Sequence, residues 1–306
     1  MAGLETLEGC GTALVTPFQS DGQLDEAALA DLVDFQIEEG VDFLVPCGTT
    51  GETPALDASE QLRVVEIVKE RAARRVPIIV GAGGNCTGKV VAAAERFAAL
   101  GVDGLLSVTP YYNKPTQEGL YQHYATLAEA VDTPIILYNV PSRTGANLLP
   151  ETVLRLAELD GIAGIKEASA SIAQITEIAT RMPADFRLLS GDDGFVLPLI
   201  AIGGCGVISV VSNVAPRAMS EFTRLCLEGR FDAARLRQGQ IHELTKACFL
   251  ETNPIPAKAA LAIMGKIREV YRLPMVPIGR ENRKRLEEVL RREDLEVASG
   301  PAVSVA

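Results

Sequence analysis

The chain is predicted to fold as an α/β protein, a closed (β/α)8 TIM barrel carrying a C-terminal helical extension. Three observations predict it. Short apolar runs recur about every 20–35 residues, with helix-like segments between them. The runs are rich in Val, Ile and Leu and do not alternate polar with apolar residues, as expected of strands buried on both faces in a parallel sheet. No Gly-x-Gly-x-x-Gly fingerprint follows the first run, which weakens the case for a dinucleotide-binding open sheet.

The first runs are GTALVTPF (11–18), DFLVPC (42–47), PIIVGAG (77–83) and GLLSVTP (104–110). Then come PIILYNV (134–140), IAGIKEAS (162–169), FRLLSGDD (186–193) and GCGVISV (204–210). Eight such runs, each followed by a helix-like stretch, favour closure into a barrel. Of the helices, residues 25–40 place Leu29, Leu32, Val33 and Ile37 on one stripe and stop at Gly40. Residues 88–101 repeat the pattern and stop at Gly101. After residue 210 one barrel helix is expected. From about 230, three helix-like segments follow: FDAARLRQGQIHELTKACFL, PIPAKAALAIMGKI and RENRKRLEEVLRRED. The chain thus divides into a barrel catalytic domain, 1–229, and a C-terminal helical domain, 230–306, whose last ten residues are weakly patterned and expected to be loose.

Composition narrows the function. The 306 residues, 47 % hydrophobic, suffice for a substantial core. A net charge of −11 repels phosphate backbones and argues against a nucleic-acid partner, yet a few local cations could still hold a small anion. No apolar run approaches the roughly 20 residues that cross a bilayer. The first ten residues include Glu5 and Glu8 and lack a basic-then-apolar export pattern, so no membrane association and a cytoplasmic location are expected. Cys10, Cys47, Cys86, Cys205, Cys226 and Cys248 are scattered, and read as small buried hydrophobes rather than a disulfide framework or zinc site. His123 and His242 lie in helix-like stretches and read as packing or surface residues. Acid–base chemistry is therefore not expected to run on histidine, and no metal-ligand set is evident.

In a barrel of this kind the active site forms at the C-terminal ends of the strands. Those ends carry Thr16-Pro17, GTTGET (48–53), TPYYNKP (109–115), YNVPSRTG (138–145), IKEAS (165–169), SGDD (190–193) and Ile208-Ser209. Lys166 is decisive. It interrupts the apolar run Ile162-Ala163-Gly164-Ile165, where a charge is costly, while Lys69, Lys89, Lys114, Lys246, Lys258 and Lys266 lie in helical or loop contexts. Desolvation drives a buried ammonium toward the neutral amine, which attacks carbonyls and forms imines. The bland alternative is a lysine paired with Glu167 or Asp192, although Glu167 should point to the opposite face of the strand. Tyr138 could move protons beside such an imine or could be an ordinary core aromatic. The Gly-Thr turn offers hydroxyls and amides to a carboxylate. Arg143 is a bidentate carboxylate clamp or a surface arginine. Asp192 and Asp193 stand where phosphate-binding barrels carry glycines, so a phosphorylated substrate is not favoured.

The motifs GTTGE, TPYYNKP, YNVPSRTG, GIKEAS, SGDD and NPIPAKAAL (253–261), in this order from about residue 8 to 290, resemble those of the dihydrodipicolinate synthase / N-acetylneuraminate lyase family. The resemblance implies a barrel with a helical C-terminal domain and an imine between pyruvate and Lys166, with no cofactor because the imine is the electron sink. It implies that Tyr138 transfers protons, and that Thr49, Tyr138 and Tyr112 form a hydroxyl relay, with Tyr112 reaching in from a neighbouring subunit. Thr50 would hold the pyruvate carboxylate, and Gly191 and Ile208 would line the pocket with backbone. The assembly implied is a homotetramer, a dimer of dimers, with Tyr111–Tyr112 at the tight interface.

Arg143 and the paired threonines resemble the synthase branch, in which this arginine grips the carboxylate of L-aspartate 4-semialdehyde, the second substrate in the diaminopimelate route to lysine. A pyruvate-forming 2-oxo acid aldolase of the family would share Lys166 and Tyr138; a non-catalytic barrel would not need Lys166, Tyr138 and Thr50 together. One departure concerns regulation. Lysine-inhibited synthases carry a glutamate a few residues past the third strand and a histidine after Gly-Glu, where this chain has Lys89 and Ala58 or Gln61, while Asn85 and Tyr111 are retained. Weak or absent feedback by lysine is expected.

Overall fold

The structure is a computed structural model that describes residue 4 and residues 7–295. The segment read as a loose tail lies outside the described residues. Eight parallel strands form one sheet: β1 (Gly9–Ala13), β2 (Phe43–Val45), β3 (Ile79–Gly81), β4 (Gly104–Val108), β5 (Ile135–Asn139), β6 (Ile162–Glu167), β7 (Arg187–Ser190) and β8 (Gly206–Ser209). β1 pairs with both β2 and β8. The remaining ends, β2 and β3, meet at a parallel bridge between Leu44 and Ile78. Two further bonds hold that seam: Leu44 N–H to the Pro77 carbonyl and Gly81 N–H to the Pro46 carbonyl, each 3.0 Å. The sheet thereby curls into the predicted (β/α)8 barrel.

Around it lie α1 (Glu26–Glu38), α2 (Ala58–Ala72), α3 (Thr87–Ala99), α4 (Gln117–Ala130), α5 (Pro141–Thr144), α6 (Pro150–Ala157), α7 (Ile172–Arg181), α8 (Val196–Ala201) and α9 (Pro216–Leu227). The helical C-terminal part comprises α10 (Phe231–Ala247), α11 (Ile255–Ile263) and α12 (Arg280–Arg292). Among the described residues no helix is long and apolar enough to cross a membrane.

Strand alternation explains why the runs read as continuously apolar. Phe43, Val45, Ile79, Ile136, Leu189 and Ile208 fill the barrel interior. Their neighbours Leu44, Leu105, Ile135, Leu137, Ile165 and Leu188 face the helices. Both faces are buried, so apolar residues dominate both sides of each strand. α1 begins where the Asp25 carboxylate accepts the Ala28 N–H, and the chain turns at Gly40 with φ +87°. Leu29, Leu32 and Val33 are buried as predicted. Gln36, not Ile37, takes the fourth buried place, because it accepts the Thr12 hydroxyl at 2.6 Å and donates to the Asn213 carbonyl at 3.2 Å.

The first strand departs from its predicted bounds. Pairing ends at Ala13, yet Leu14, Val15, Thr16 and Phe18 remain buried. Val15 N–H bonds to Asn213 Oδ1 at 3.1 Å, and Phe18 bridges antiparallel to Leu24. A buried stretch that leaves the sheet has the same apolar pattern as one inside it, so pattern alone overran the end. The cysteines also differ in part. Cys10, Cys47, Cys226 and Cys248 are buried, but Cys205 is half-buried and Cys86 is exposed where α3 starts. His123 packs with its Nδ1 2.9 Å from Thr87 Oγ1, and burial pushes it down to about 4, whereas His242 is exposed.

Candidate active site

Two polar side chains break the apolar lining of the barrel. β5 and β6 pair so that Tyr138 stands directly beside Lys166, and both point inward. Their successors Asn139 and Glu167 are paired in the same way but point outward. Glu167 is held there by the Asn139 amide (3.2 Å), the Ser169 N–H (2.6 Å) and the Gln174 amide (3.1 Å). It is therefore no partner for Lys166. Lys166 is 5 % exposed, and among the described residues it forms neither an ion pair nor a hydrogen bond. Its Nζ lies 4.3 Å from the centroid of the Tyr138 ring.

Burial pushes Lys166 down to about 7; the Asp193 carboxylate opposes the shift and the Arg143 guanidinium adds to it. The amine is thus substantially neutral near neutral pH, the state a nucleophile needs. Asp193, not the Asp192 considered in the sequence, supplies the field. It is buried, accepts Ser209 Oγ at 2.5 Å and Val210 N–H at 3.1 Å, and is itself pushed up to about 6 by desolvation. Burial raises the Tyr138 phenol, while Arg143 and a hydrogen bond with the Thr49 hydroxyl pull it back. Arg143 lies in the exposed turn of α5, with no ion pair among the described residues. A free guanidinium is thus left at the rim to receive an anion.

A cavity of about 780 Å³ opens over these groups and is lined by Thr49, Thr50, Tyr138, Arg143, Lys166 and Gly191 among others. Thr49–Gly51 is a short 3-10 turn after Gly48. Its leading amides have no carbonyl within the turn to bond. With the Thr49 and Thr50 hydroxyls they make a donor-rich surface beside the lysine. Gly191 donates its N–H to the Glu167 carbonyl at 2.8 Å. A Cβ there would fall 2.7 Å from Ala168 Cβ and 3.1 Å from Lys166 Cε, so only glycine leaves the lysine room. Ile208 belongs with Tyr138 to the cluster that fills the barrel interior, and Val210, two residues on, reaches the cavity.

Two predicted residues do not line the cavity, Ile208 and Tyr112. Tyr112 is 88 % exposed with φ +74°, and Tyr111 lines this chain's cavity instead. Cys47, beside the turn, is a packed thiol pushed up to about 12 by burial, which makes it a poor nucleophile. Sequence reasoning missed Asn253 and Lys258. Asn253 lines the cavity and donates to Thr50 Oγ1 at 2.9 Å. Lys258, read as an ordinary helix lysine, is fully buried and bonds to Glu52 at 2.5 Å. The motif NPIPAKAAL contains both, but its link to the turn lies about 200 residues away in sequence. Among the described residues no cluster of His, Cys, Asp or Glu could hold a metal.

A buried amine of lowered pKa, an adjacent phenol, hydroxyl and amide donors and a rim cation form a set suited to imine chemistry on a small oxo acid. The chain is also similar to known proteins over most of its length. A 4-hydroxy-tetrahydrodipicolinate synthase of Koribacter versatilis is 52 % identical over 284 residues, covering 92 % of this chain and 95 % of that one. One from Chlorobium limicola is 48 % identical over 285 residues, covering 93 % and 96 %. The crystal structure of dihydrodipicolinate synthase from Aquifex aeolicus superposes with a TM-score of 0.93 at 43 % identity, covering 95 % and 99 %. A chloride-inhibited dihydrodipicolinate synthase from Acinetobacter baumannii, solved with pyruvate, gives 0.93 at 41 % identity, covering 95 % and 100 %. With the dihydrodipicolinate synthetase family model matching residues 6–293, the chain belongs to that family.

Proposed function

We propose that the protein is a lyase that condenses pyruvate with L-aspartate 4-semialdehyde through an imine on Lys166, the reaction of the synthases it resembles in the diaminopimelate route to lysine. The observation that carries this reading is Lys166: buried, without an ion pair, near neutral pKa, and in register with Tyr138.

Lys166 Nζ attacks the pyruvate C2 carbonyl, and the carbinolamine expels water as Tyr138 passes a proton to the departing oxygen. The cationic imine draws electrons from the methyl group, which loses a proton to the Tyr138 phenolate left by the previous step and leaves an enamine. The enamine carbon bonds to the aldehyde carbon of the semialdehyde, whose oxygen takes up a proton. The substrate's own amine then attacks the imine carbon, closes the ring and displaces Lys166 as free amine. Thr50 and the turn amides hold the pyruvate carboxylate, Arg143 the carboxylate of the semialdehyde, and Gly191 gives the lysine space to move. Thr49 orients the Tyr138 hydroxyl. Tyr112, exposed and outside the lining of its own cavity, completes the relay in a neighbouring copy of a homotetramer, an enzyme of the cytoplasm. The division into a catalytic barrel, 1–229, and a helical domain, 230–306, fits this assignment of roles.

Arg143→Ala is expected to lower kcat/KM for the semialdehyde by about 10²-fold, the loss of a charge-assisted bidentate contact, while pyruvate still forms the imine. A coupled assay beside imine trapping reads both. Equal semialdehyde use by the variant would remove Arg143 from the role of clamp; imine formation without semialdehyde use in wild type would favour a family aldolase. Lys89 is exposed on α3, near the Asn85 carbonyl that accepts the Asn113 amide at 2.9 Å. A cation there repels the ammonium of lysine. Titration calorimetry is expected to show no lysine binding in the micromolar range; micromolar binding would reverse the regulatory reading.

A further inference from the structure

The C-terminal helical part holds the turn bearing Thr49 and Thr50 at three points. Asn253, 4 % exposed, donates from Nδ2 to Thr50 Oγ1 at 2.9 Å. Lys258 on α11 bonds to Glu52 Oε1 at 2.5 Å. Arg272 gives its backbone N–H to Glu52 Oε2 at 3.2 Å, and its guanidinium to the Ala55 carbonyl at 2.8 Å and the Glu60 carboxylate. Glu52 sits at φ +52°, a conformation that a non-glycine residue keeps only when its surroundings fix it. Both of its carboxylate oxygens are fixed from the C-terminal part.

The polarity of the first contact bears on ligand recognition. A threonine hydroxyl owns one proton and two acceptor positions. The Asn253 amide occupies one acceptor position of Thr50, and the Asn253 Oδ1 is buried without a partner, so it does not take the Thr50 proton. That proton is left for the cavity, which Asn253 and Thr50 line together with Lys166. We propose that Asn253 is a positioning residue that turns the Thr50 hydroxyl into a donor toward the substrate carboxylate, making anion recognition in the barrel depend on the C-terminal helical part. This rests on the assignment of Thr50 as a carboxylate-binding residue. The Lys258–Glu52 pair ties the residue after the turn to α11. It is the wrong place to probe, since removing either partner strands a buried charge and threatens the fold.

The experiment measures borohydride-trapped imine against pyruvate concentration, together with steady-state kinetics, in wild type, Asn253→Leu, Asn253→Asp, Thr50→Val and the Asn253→Leu/Thr50→Val double variant. Losing a hydrogen bond to a charged group should raise the half-saturating pyruvate concentration about 10-fold in Asn253→Leu, with kcat reduced less than about 3-fold. Asn253→Asp keeps the size and polarity of the side chain but can only accept, so it should redirect the Thr50 proton and raise the half-saturating concentration at least as far. The double variant should be no worse than Thr50→Val alone. Wild-type saturation in both Asn253 variants would overturn the inference alone, as would a loss in kcat without a change in half-saturation, or additive effects in the double variant. No trapped adduct in wild type would overturn the reading of the site and this inference with it.

Discussion

Lys166→Met is expected to abolish turnover, by on the order of 10⁴-fold or more, and at the same time to stabilise the fold. The first effect follows from removing the only atom that bonds to the substrate in the proposed mechanism. The second follows from where that atom sits. In the unfolded chain the lysine titrates at 10.5, and burial lowers it to about 7 in the fold. Between those values the unfolded state binds more protons than the folded state, so stability rises with pH across that window. The penalty is fully present below about pH 7 and disappears above about 10.5. At neutral pH it amounts to on the order of 4 kcal/mol. Methionine is close in length, uncharged and suited to the apolar wall formed by Leu189 and Ile208. Thermal melts should therefore show a higher Tm for the variant at pH 7 and a shrinking difference toward pH 10. A lower Tm at pH 7 would mean that the lysine is held by a partner, contrary to its isolated setting.

Tyr138→Phe should slow the overall reaction by about 10²–10³-fold, the usual worth of a well-placed proton donor and acceptor, with little effect on stability. The ring stays, so the interior packing around Ile136 and Ile208 is kept. The lost hydroxyl had its pKa raised by burial and lowered again by Arg143 and Thr49, a setting that tunes it for proton exchange beside the imine. Stopped-flow measurement of imine formation with pyruvate alone should carry much of the loss, because carbinolamine dehydration is the first step that needs the proton. A variant that forms the imine at the wild-type rate would move the role of Tyr138 to a later step.

The barrel was legible in the sequence because parallel strands buried on both faces produce unbroken Val, Ile and Leu runs at regular spacing. Lys166 was legible for the same reason: one ammonium in such a run stands out against its neighbours, and strand alternation alone separated it from Glu167. Thr50, Arg143 and Gly191 lay at strand ends, where a barrel gathers its site, and the structure lines one cavity with them. What stayed hidden depends on contacts distant along the chain. Asn253 meets Thr50 across 203 residues, and Lys258 meets Glu52 across 206. Lys258 sits in a helix, where lysine is commonplace, and nothing local distinguishes a fully buried one. The end of β1 was missed because Leu14 to Phe18 stay buried after its pairing ends, Val15 against Leu32 of α1 and Leu261 of α11. Tyr112 is exposed and does not line the cavity of its own chain, so its proposed role belongs to an assembly of several chains.

Reduction with borohydride in the presence of pyruvate, followed by peptide mass spectrometry, tests the central claim most directly. One pyruvate-derived adduct on the peptide containing Lys166, absent without pyruvate and absent in Lys166→Met, is the predicted result. No adduct, or an adduct on Lys258 or Lys114 instead, would contradict the assignment of Lys166 as the imine-forming residue.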